Sequence, residues 1–324
     1  MNAGQHAWPA ESRETDMSDK QHILAIVEPD VHPAEVVRRA AWLAKLEDCD
    51  LALLLCDPDI GALREGFFVS NEARDIAARI QEAQREIIDD LARPARDMGI
   101  SVTTNVLEQR PIADGVLHIA VDMNPRYVVK GTQYHSTAER SIFVDSDWQL
   151  IRSCPFPLWL VKPHEVRDNP VIIAAVDPTH SHDKPASLDR VIIESAQAIA
   201  GLTGGEVHLL HTYHRLIGIG REATMTFKPI ELPIEELSEK IKREHREKLD
   251  ALASASGVDE AHTHQLPGDT KELLPAFARS KGADLVVMGA LARWGLKRAI
   301  LGSTAEKVLD HLPCDILIVR SPET

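Results

Sequence analysis

One segment near the C-terminal end combines glycines, hydroxyl side chains and cations in an otherwise acidic chain. Gly289 follows a buried apolar run, and Gly302, Ser303 and Thr304 open a predicted helix. Glycines allow close approach of a backbone to an anion, and the N-terminus of a helix favours phosphate. The cations of the segment are Arg293, Lys297, Arg298 and Lys307. The segment predicts a phosphate-binding loop; the alternative is an ordinary strand-to-helix loop with a solvated basic face.

The histidines give a weaker signal for a metal site. His208, His211 and His214 recur every three residues, but residues three apart on a strand face opposite sides of the sheet. His262 and His264 would share a strand face, yet two ligands without a nearby third are weak evidence for a metal. We therefore expect structural or solvent-exposed histidines and no metal site.

Nothing in the sequence indicates a catalytic serine. Ser303 lacks a G-x-S-x-G elbow and a base placed by the same motif, so its hydroxyl is expected to contact phosphate or cap the helix. We expect no catalytic residues.

Composition restricts the class of protein and its partners. The chain has 324 residues, 44% of them hydrophobic, and a formal net charge of −14. This length suits two domains, and the negative charge disfavours binding to nucleic acids and to anionic membranes. The four cysteines form no C-x-x-C pair and indicate a reducing, cytoplasmic setting without a cysteine zinc site. Residues 1–20 are polar and predicted to be disordered.

The two halves of the chain repeat each other. Three pairs of segments match: 23–29 with 172–178, 127–131 with 285–289, and 158–162 with 316–320. The last two pairs share one offset without a gap, which indicates a duplication. We predict one domain over residues 21–163, a second over 170–321, and a short polar linker between them.

Each half alternates buried strands with amphipathic helices, as in a parallel sheet covered on both faces. Predicted strands lie at 21–27, 50–56, 101–107, 126–130, 157–162, 171–177, 205–211, 260–266, 284–288 and 315–319. The fold class is therefore α/β, with two tandem, doubly wound (Rossmann-like), five-stranded parallel sheets. Pro94 should bend or end the long helix at 70–98, and Gly257 should end the helix that follows Pro233.

The glycine segment resembles the ATP-binding motif of the universal stress protein family, G-2x-G-9x-G-[S/T]. Gly289, Gly302 and Ser303 fit its first, third and fourth positions, and Ala292 stands at the second. If that position needs a left-handed backbone, alanine costs about 1–2 kcal/mol, roughly tenfold in affinity. Asp177 closes the first strand of its half, where the family has an acid that approaches the nucleotide.

The resemblance covers nearly all of residues 21–320, and the tandem layout is similar to that of the E subgroup of the family. It implies an adenine-nucleotide alpha-hydrolase-like fold. It implies a non-catalytic protein with a role in the stress response, including resistance to DNA damage. It further implies that the second domain binds ATP or a related adenine nucleotide, which can be accompanied by Mg²⁺. The implied nucleotide-binding residues are Asp177, Gly289, Ala292, Arg293, Gly302, Ser303 and Thr304. A nucleotide-free scaffold, an apolar-ligand-binding protein and a weak ATP hydrolase are the alternatives.

The first half departs from the motif. Tyr134 replaces a small residue, Asp145 places a carboxylate where phosphate would bind, and Glu28 is a longer acid than its counterpart in the second half. We predict no nucleotide site there, and a filled core rather than an apolar crevice near Trp148 and Trp159.

Family members generally dimerise through their last strands. The resemblance therefore implies pairing of the two domains through residues 158–161 and 316–319, and it leaves a homodimer of the whole chain open.

Overall fold

The computed structural model describes residues 20–56, 71–107, 111–132, 145–165, 167–179, 186–214, 234–290 and 308–321. The chain divides between residues 165 and 166 into two compact units. Among the described residues, each helix is too short or too polar to cross a lipid bilayer.

The first unit is a five-stranded parallel sheet with helices between the strands. Its elements are β1 (His22–Val27), α1 (Pro33–Leu46), β2 (Asp50–Cys56), α2 (Asn71–Asp97), β3 (Val102–Leu107), α3 (Ile112–Met123), β4 (Tyr127–Gly131), α4 (Asp145–Ser153) and β5 (Leu158–Val161). The strand order is β3-β2-β1-β4-β5, and every neighbouring pair is parallel.

The second unit repeats this order. Its elements are β6 (Val171–Ala175), α5 (Ala186–Thr203), β7 (Glu206–Tyr213), α6 (Ile234–Ala255), a 3₁₀ turn (Glu260–His262), β8 (Thr263–Pro267), α7 (Thr270–Lys281), β9 (Leu285–Gly289) and β10 (Asp315–Val319). The strands follow β8-β7-β6-β9-β10, all parallel. The predicted α/β fold class is confirmed, and each unit contributes the five parallel strands that the sequence predicted.

The central strands β1 and β6 are mostly apolar because helices cover both faces of the sheet in each unit. Ile23, Leu24 and Ala25 of β1 are fully buried, as are Ile172 and Ile173 of β6. The four cysteines are buried, and no disulfide joins them.

The core around Trp159 is filled, as expected. Trp159 is 1% exposed and makes edge-on contacts with Trp42 and Tyr127, at ring-centroid distances of 6.2 and 6.1 Å. Trp148 of α4 is half-buried.

The predicted end of the helix that follows Pro233 is confirmed. α6 ends at Ala255, and Gly257 follows with φ +68, a left-handed conformation that glycine adopts without strain. Pro94, which was expected to bend or end α2, lies in its last turn, and the helix continues past it to Asp97.

The predicted strand at 260–266 begins later, at Thr263. Residues Glu260–His262 form a 3₁₀ turn instead, in which the carbonyl of Asp259 accepts from the N–H of His262 and the hydroxyl of Thr263.

Candidate functional site

The strand order creates a crevice at the carboxyl edge of the second sheet. The chain leaves β6 toward β7 on one side, while β9 pairs with β6 on the other, in the register Ala175 with Met288. Open α/β sheets bind ligands where the strand order reverses in this way. Asp177 follows β6 and Gly289 ends β9, so both predicted site residues lie at this crevice.

The backbone around Asp177 holds its carboxylate in a defined position. The Asp177 N–H donates to Oδ1 of Asp189 at 2.9 Å, and Asp189 is fully buried in the first turn of α5. Asp177 Oδ1 accepts from the N–H of Thr179 at 3.3 Å and from its hydroxyl at 2.6 Å. These bonds make a local turn typical of aspartate and leave the half-buried side chain oriented by its own loop.

Gly289 is needed for packing at the end of β9. A Cβ at this position would lie 2.6 Å from Cδ2 and 2.8 Å from Cγ of Leu188, a residue of α5 that packs against the end of β9. The matching Gly131 has the same constraint, since its Cβ would lie 2.6 Å from the carbonyl oxygen of Val31. Both copies therefore keep this glycine for close packing of a strand end, whether or not an anion binds nearby.

The rest of the predicted phosphate loop lies outside the described residues. This holds for Ala292, Arg293, Gly302, Ser303 and Thr304. The described chain resumes as a helical turn at 308–311, and Ala290 donates its N–H to the carbonyl of Val319 at 2.9 Å. The assignment of phosphate binding to this loop stays a prediction.

Two histidines that the sequence analysis did not assign to this site lie next to Asp177. His211 of β7 is buried, and its Nδ1 lies 3.2 Å from the carbonyl oxygen of Val176. Its Nε2 lies 2.7 Å from Nδ1 of His245 on α6. Because a carbonyl can only accept, Nδ1 of His211 carries the proton, and His245 then donates from Nδ1 to Nε2 of His211.

Burial keeps this pair neutral. It lowers the pKa of His211, and the bond to Val176 and the nearby Asp177 carboxylate oppose that shift only in part. Burial also lowers the pKa of His245, again against the attraction of Asp177. With Nδ1 of His245 donating, Nε2 is the accepting nitrogen of that ring.

This edge of the sheet therefore brings a carboxylate and a pair of imidazole rings together. Tyr213 adds a ring 5.2 Å from His245, and the hydroxyls of Thr212 and Thr270 are hydrogen-bonded to each other. A carboxylate can accept from sugar hydroxyls, and rings can contact a base. His211 could have been suspected from its place near the end of a predicted strand, whereas His245 is brought here by the packing of α6.

The equivalent crevice of the first unit is filled by three of its own charged side chains. Lys130 of β4 makes an ion pair with Glu28, which follows β1, and its Nζ lies 2.7 Å from Oδ1 of Asp147 on α4. The side chains are 1%, 12% and 3% exposed, in that order. Burial lowers the pKa of Lys130, but Asp147 and Glu28 outweigh it, so the pKa stands above its ordinary value.

This charged cluster belongs to the first copy only. The shared offset of the repeat aligns Lys130 with Met288 and Asp147 with Ala305, so the second copy has neither the cation nor the second acid. The helix α4 begins at Asp145 as expected; the side chain of Asp145 lies outside the described residues.

Sequence comparison identifies the same protein family in both halves. The model of the universal stress protein family matches residues 20–162 and 171–320. A relative of the same length is "Universal stress protein E" of Salmonella typhi, 26% identical over 315 residues, which cover 95% of this chain and 96% of that protein.

Solved structures agree on the fold. A Pseudomonas aeruginosa structure superposes with a TM-score of 0.69 at 25% identity, covering 94% of both chains. A universal stress protein from Archaeoglobus fulgidus superposes with a TM-score of 0.62 at 14% identity, covering 94% of this chain and all of that one.

Proposed function

The chain belongs to the universal stress protein family, and on that premise we propose that it binds one adenine nucleotide, ATP or a close relative, in its second domain. The observation that carries this proposal is the contrast between the two crevices. The first is filled by Lys130, Glu28 and Asp147, whereas the second has Met288 at the position of Lys130 and Ala305 at that of Asp147.

The first crevice is a poor anion site on electrostatic grounds. Lys130 is paired with Glu28 and Asp147, and a phosphate would have to separate these buried ions from each other. Breaking a buried ion pair leaves an uncompensated charge and costs about 3–5 kcal/mol. That cost removes roughly two to four orders of magnitude from any affinity.

In the second crevice, we assign Asp177 to the sugar hydroxyls and the loop after Gly289 to the phosphates. The turn formed with Thr179 holds the carboxylate in place before a ligand arrives, which lowers the entropic cost of binding. The His211–His245 pair would contact the base or the sugar edge. The cations of the predicted loop would neutralise phosphates despite the net charge of −14.

The role that follows is non-catalytic: occupancy of the site would change the conformation of neighbouring loops or the contacts with partners under stress. One observation favours weak ATP hydrolysis as a second candidate. His245 has an accepting nitrogen and a pKa lowered by burial, beside Asp177, so it could act as a general base at neutral pH.

Calorimetry with ATP and Mg²⁺ on the whole chain tests the proposal. We expect one nucleotide per chain, and about tenfold weaker binding in Asp177→Asn, because a hydrogen bond to a charged acceptor exceeds one to an amide by about 1 kcal/mol or more. Asp168→Asn, which changes an exposed acid of the same unit, is the control. Absence of binding at millimolar ATP, or equal binding by Asp177→Asn, would contradict it.

Phosphate release by the same samples separates the two candidates. If the protein only binds nucleotide, samples of the wild type and of His245→Gln release phosphate at the same background rate. Loss of a measurable rate in His245→Gln, with binding retained, would favour the hydrolase.

A further inference from the structure

A second polar cluster lies at the opposite, amino edge of the second sheet. It comprises Glu206 and His208 of β7, His262 of the 3₁₀ turn and His264 of β8. His208 Nε2 lies 3.2 Å from Oε1 of Glu206, and His262 Nε2 lies 3.7 Å from Oε2 of the same carboxylate. One ligand atom from each of Glu206, His208 and His262 falls within 4.8 Å of the others.

The parallel register explains why these residues meet. β7 and β8 pair as Leu209 with Thr263 and Leu210 with His264, so one step earlier His208 lies beside His262. Glu206 is two residues before His208 and therefore projects from the same face of the strand. The third ligand that the sequence analysis lacked comes from the neighbouring strand.

We propose that Glu206, His208 and His262 bind a divalent transition metal of the zinc type, with a fourth position open to water. Four ligands at about 2.0–2.1 Å around a tetrahedral zinc ion are about 3.3 Å apart, close to the two separations measured from Glu206. Two imidazoles and a carboxylate favour zinc over magnesium or calcium, which prefer sets of oxygen ligands.

His264 completes the site as a partner of a ligand. His208 Nδ1 lies 3.0 Å from Nε2 of His264, so a metal on Nε2 of His208 leaves Nδ1–H to donate to His264. Phe277 of α7 packs against the His264 ring at a centroid distance of 4.8 Å.

The exposure of the ligands suits a site that exchanges metal with solvent. The side chain of His208 is 5% exposed and anchors the cluster, whereas Glu206 and His262 are 52% and 36% exposed. A cavity of about 330 Å³ opens beside them, lined also by Gln197 and Asp259. It leaves room for water or for a fourth ligand.

Nearby cations set a limit on the affinity. Lys281 of α7 and Arg246 of α6 act on His264, and Arg167 acts on Glu206 from the segment before β6. Arg167 and Arg246 are engaged by carboxylates of their own, Asp284 and Asp250. We therefore expect micromolar zinc binding rather than the far tighter binding of a closed four-ligand site.

Zinc binding to the metal-free full chain tests the proposal, measured by competition with a chromophoric chelator and by metal analysis after dialysis. The expected result is a site of one zinc per chain that weakens at least tenfold in both Glu206→Gln and His262→Asn. Replacing the hydrogen-bond partner of His208, in His264→Asn, should weaken zinc binding by about ten- to a hundredfold. Cobalt should give the intense visible bands of tetrahedral coordination in the wild type and lose them in His262→Asn.

His118→Asn is the matched control, because it removes an exposed histidine from the first unit and should leave zinc binding unchanged. Glu206 and His262 are used instead of His208 because their exposure lets the variants keep the fold, which thermal unfolding in chelator verifies. Wild-type protein without the site, or a site equally strong in Glu206→Gln and His262→Asn, would overturn the proposal. ATP binding at the opposite edge should be the same in all these variants.

Discussion

Lys130 Nζ lies 2.7 Å from Oδ1 of Asp147, and both side chains are almost fully withdrawn from solvent. This ion pair, with Glu28 as its third member, occupies in the first domain the crevice where the second domain presents Asp177. The duplication has therefore given the first copy an internal charged cluster at the strand-order reversal, while the second copy has Met288 and Ala305 in place of Lys130 and Asp147.

The cluster makes Lys130 important for the stability of the first domain. Lys130→Met introduces the residue of the second copy and removes the buried cation that pairs with Glu28 and Asp147. We expect a loss of about 3–5 kcal/mol in the free energy of unfolding. Urea unfolding followed by tryptophan fluorescence measures it, since Trp42 and Trp159 contact each other in this domain.

The triple variant Glu28→Gln, Lys130→Met, Asp147→Ala is the matched comparison. It removes all three charges together, and replacement of a whole buried ionic cluster is often neutral or stabilising. Recovery of most of the lost stability is expected. A triple variant as unstable as Lys130→Met, or a Lys130→Met protein as stable as the wild type, would show that the charges do not act as a unit.

The two strand-end glycines should differ in their tolerance of alanine. Gly131→Ala forces a methyl group against the carbonyl oxygen of Val31, whereas Gly289→Ala meets the side chain of Leu188, which can adjust. Overpacking of a core costs about 1–3 kcal/mol, and we expect Gly131→Ala at the upper end and Gly289→Ala at the lower. Thermal unfolding compares them, and a larger loss for Gly289→Ala would contradict the packing argument.

The His211–His245 pair should make the second domain less stable as the pH falls. Burial lowers the pKa of both histidines below their values in the unfolded chain. In mildly acidic solution the unfolded state therefore binds more protons than the folded state. Stability is then full above the ordinary histidine pKa of about 6.5 and declines as the pH falls below it. Unfolding at a series of pH values from neutral to mildly acidic measures this decline.

His245→Gln should reduce that decline, by at most about 1.4 kcal/mol per pH unit for the proton removed. His118→Gln, which changes an exposed ring in the first unit, should leave it unchanged. An identical slope in the wild type and in His245→Gln would mean that this ring titrates alike in both states.

Much of the fold was predictable because its signals are local or periodic. The buried runs around Ile23 and Ile172 gave the strands, and the shared offset between Gly131 and Gly289 gave the duplication. The positions of Asp177 and Gly289 at one sheet edge followed from the parallel topology, since carboxyl ends of parallel strands align.

Contacts between distant segments were not predictable in the same way. The interactions of Lys130 depend on how α4 turns Asp147 toward the sheet, and His245 reaches His211 only through the packing of α6 on β7. The cluster around His208 could have been predicted from the sequence. It required pairing of the predicted strands at 205–211 and 260–266, which sets His208 beside His262.

The most direct test of the account is a crystal structure of the full chain grown with a non-hydrolysable ATP analogue and Mg²⁺. We expect nucleotide density beside Asp177 in the second domain and the intact Lys130–Asp147 ion pair in the first. Nucleotide beside Lys130, or a second-domain crevice without nucleotide at saturating concentration, would contradict the account.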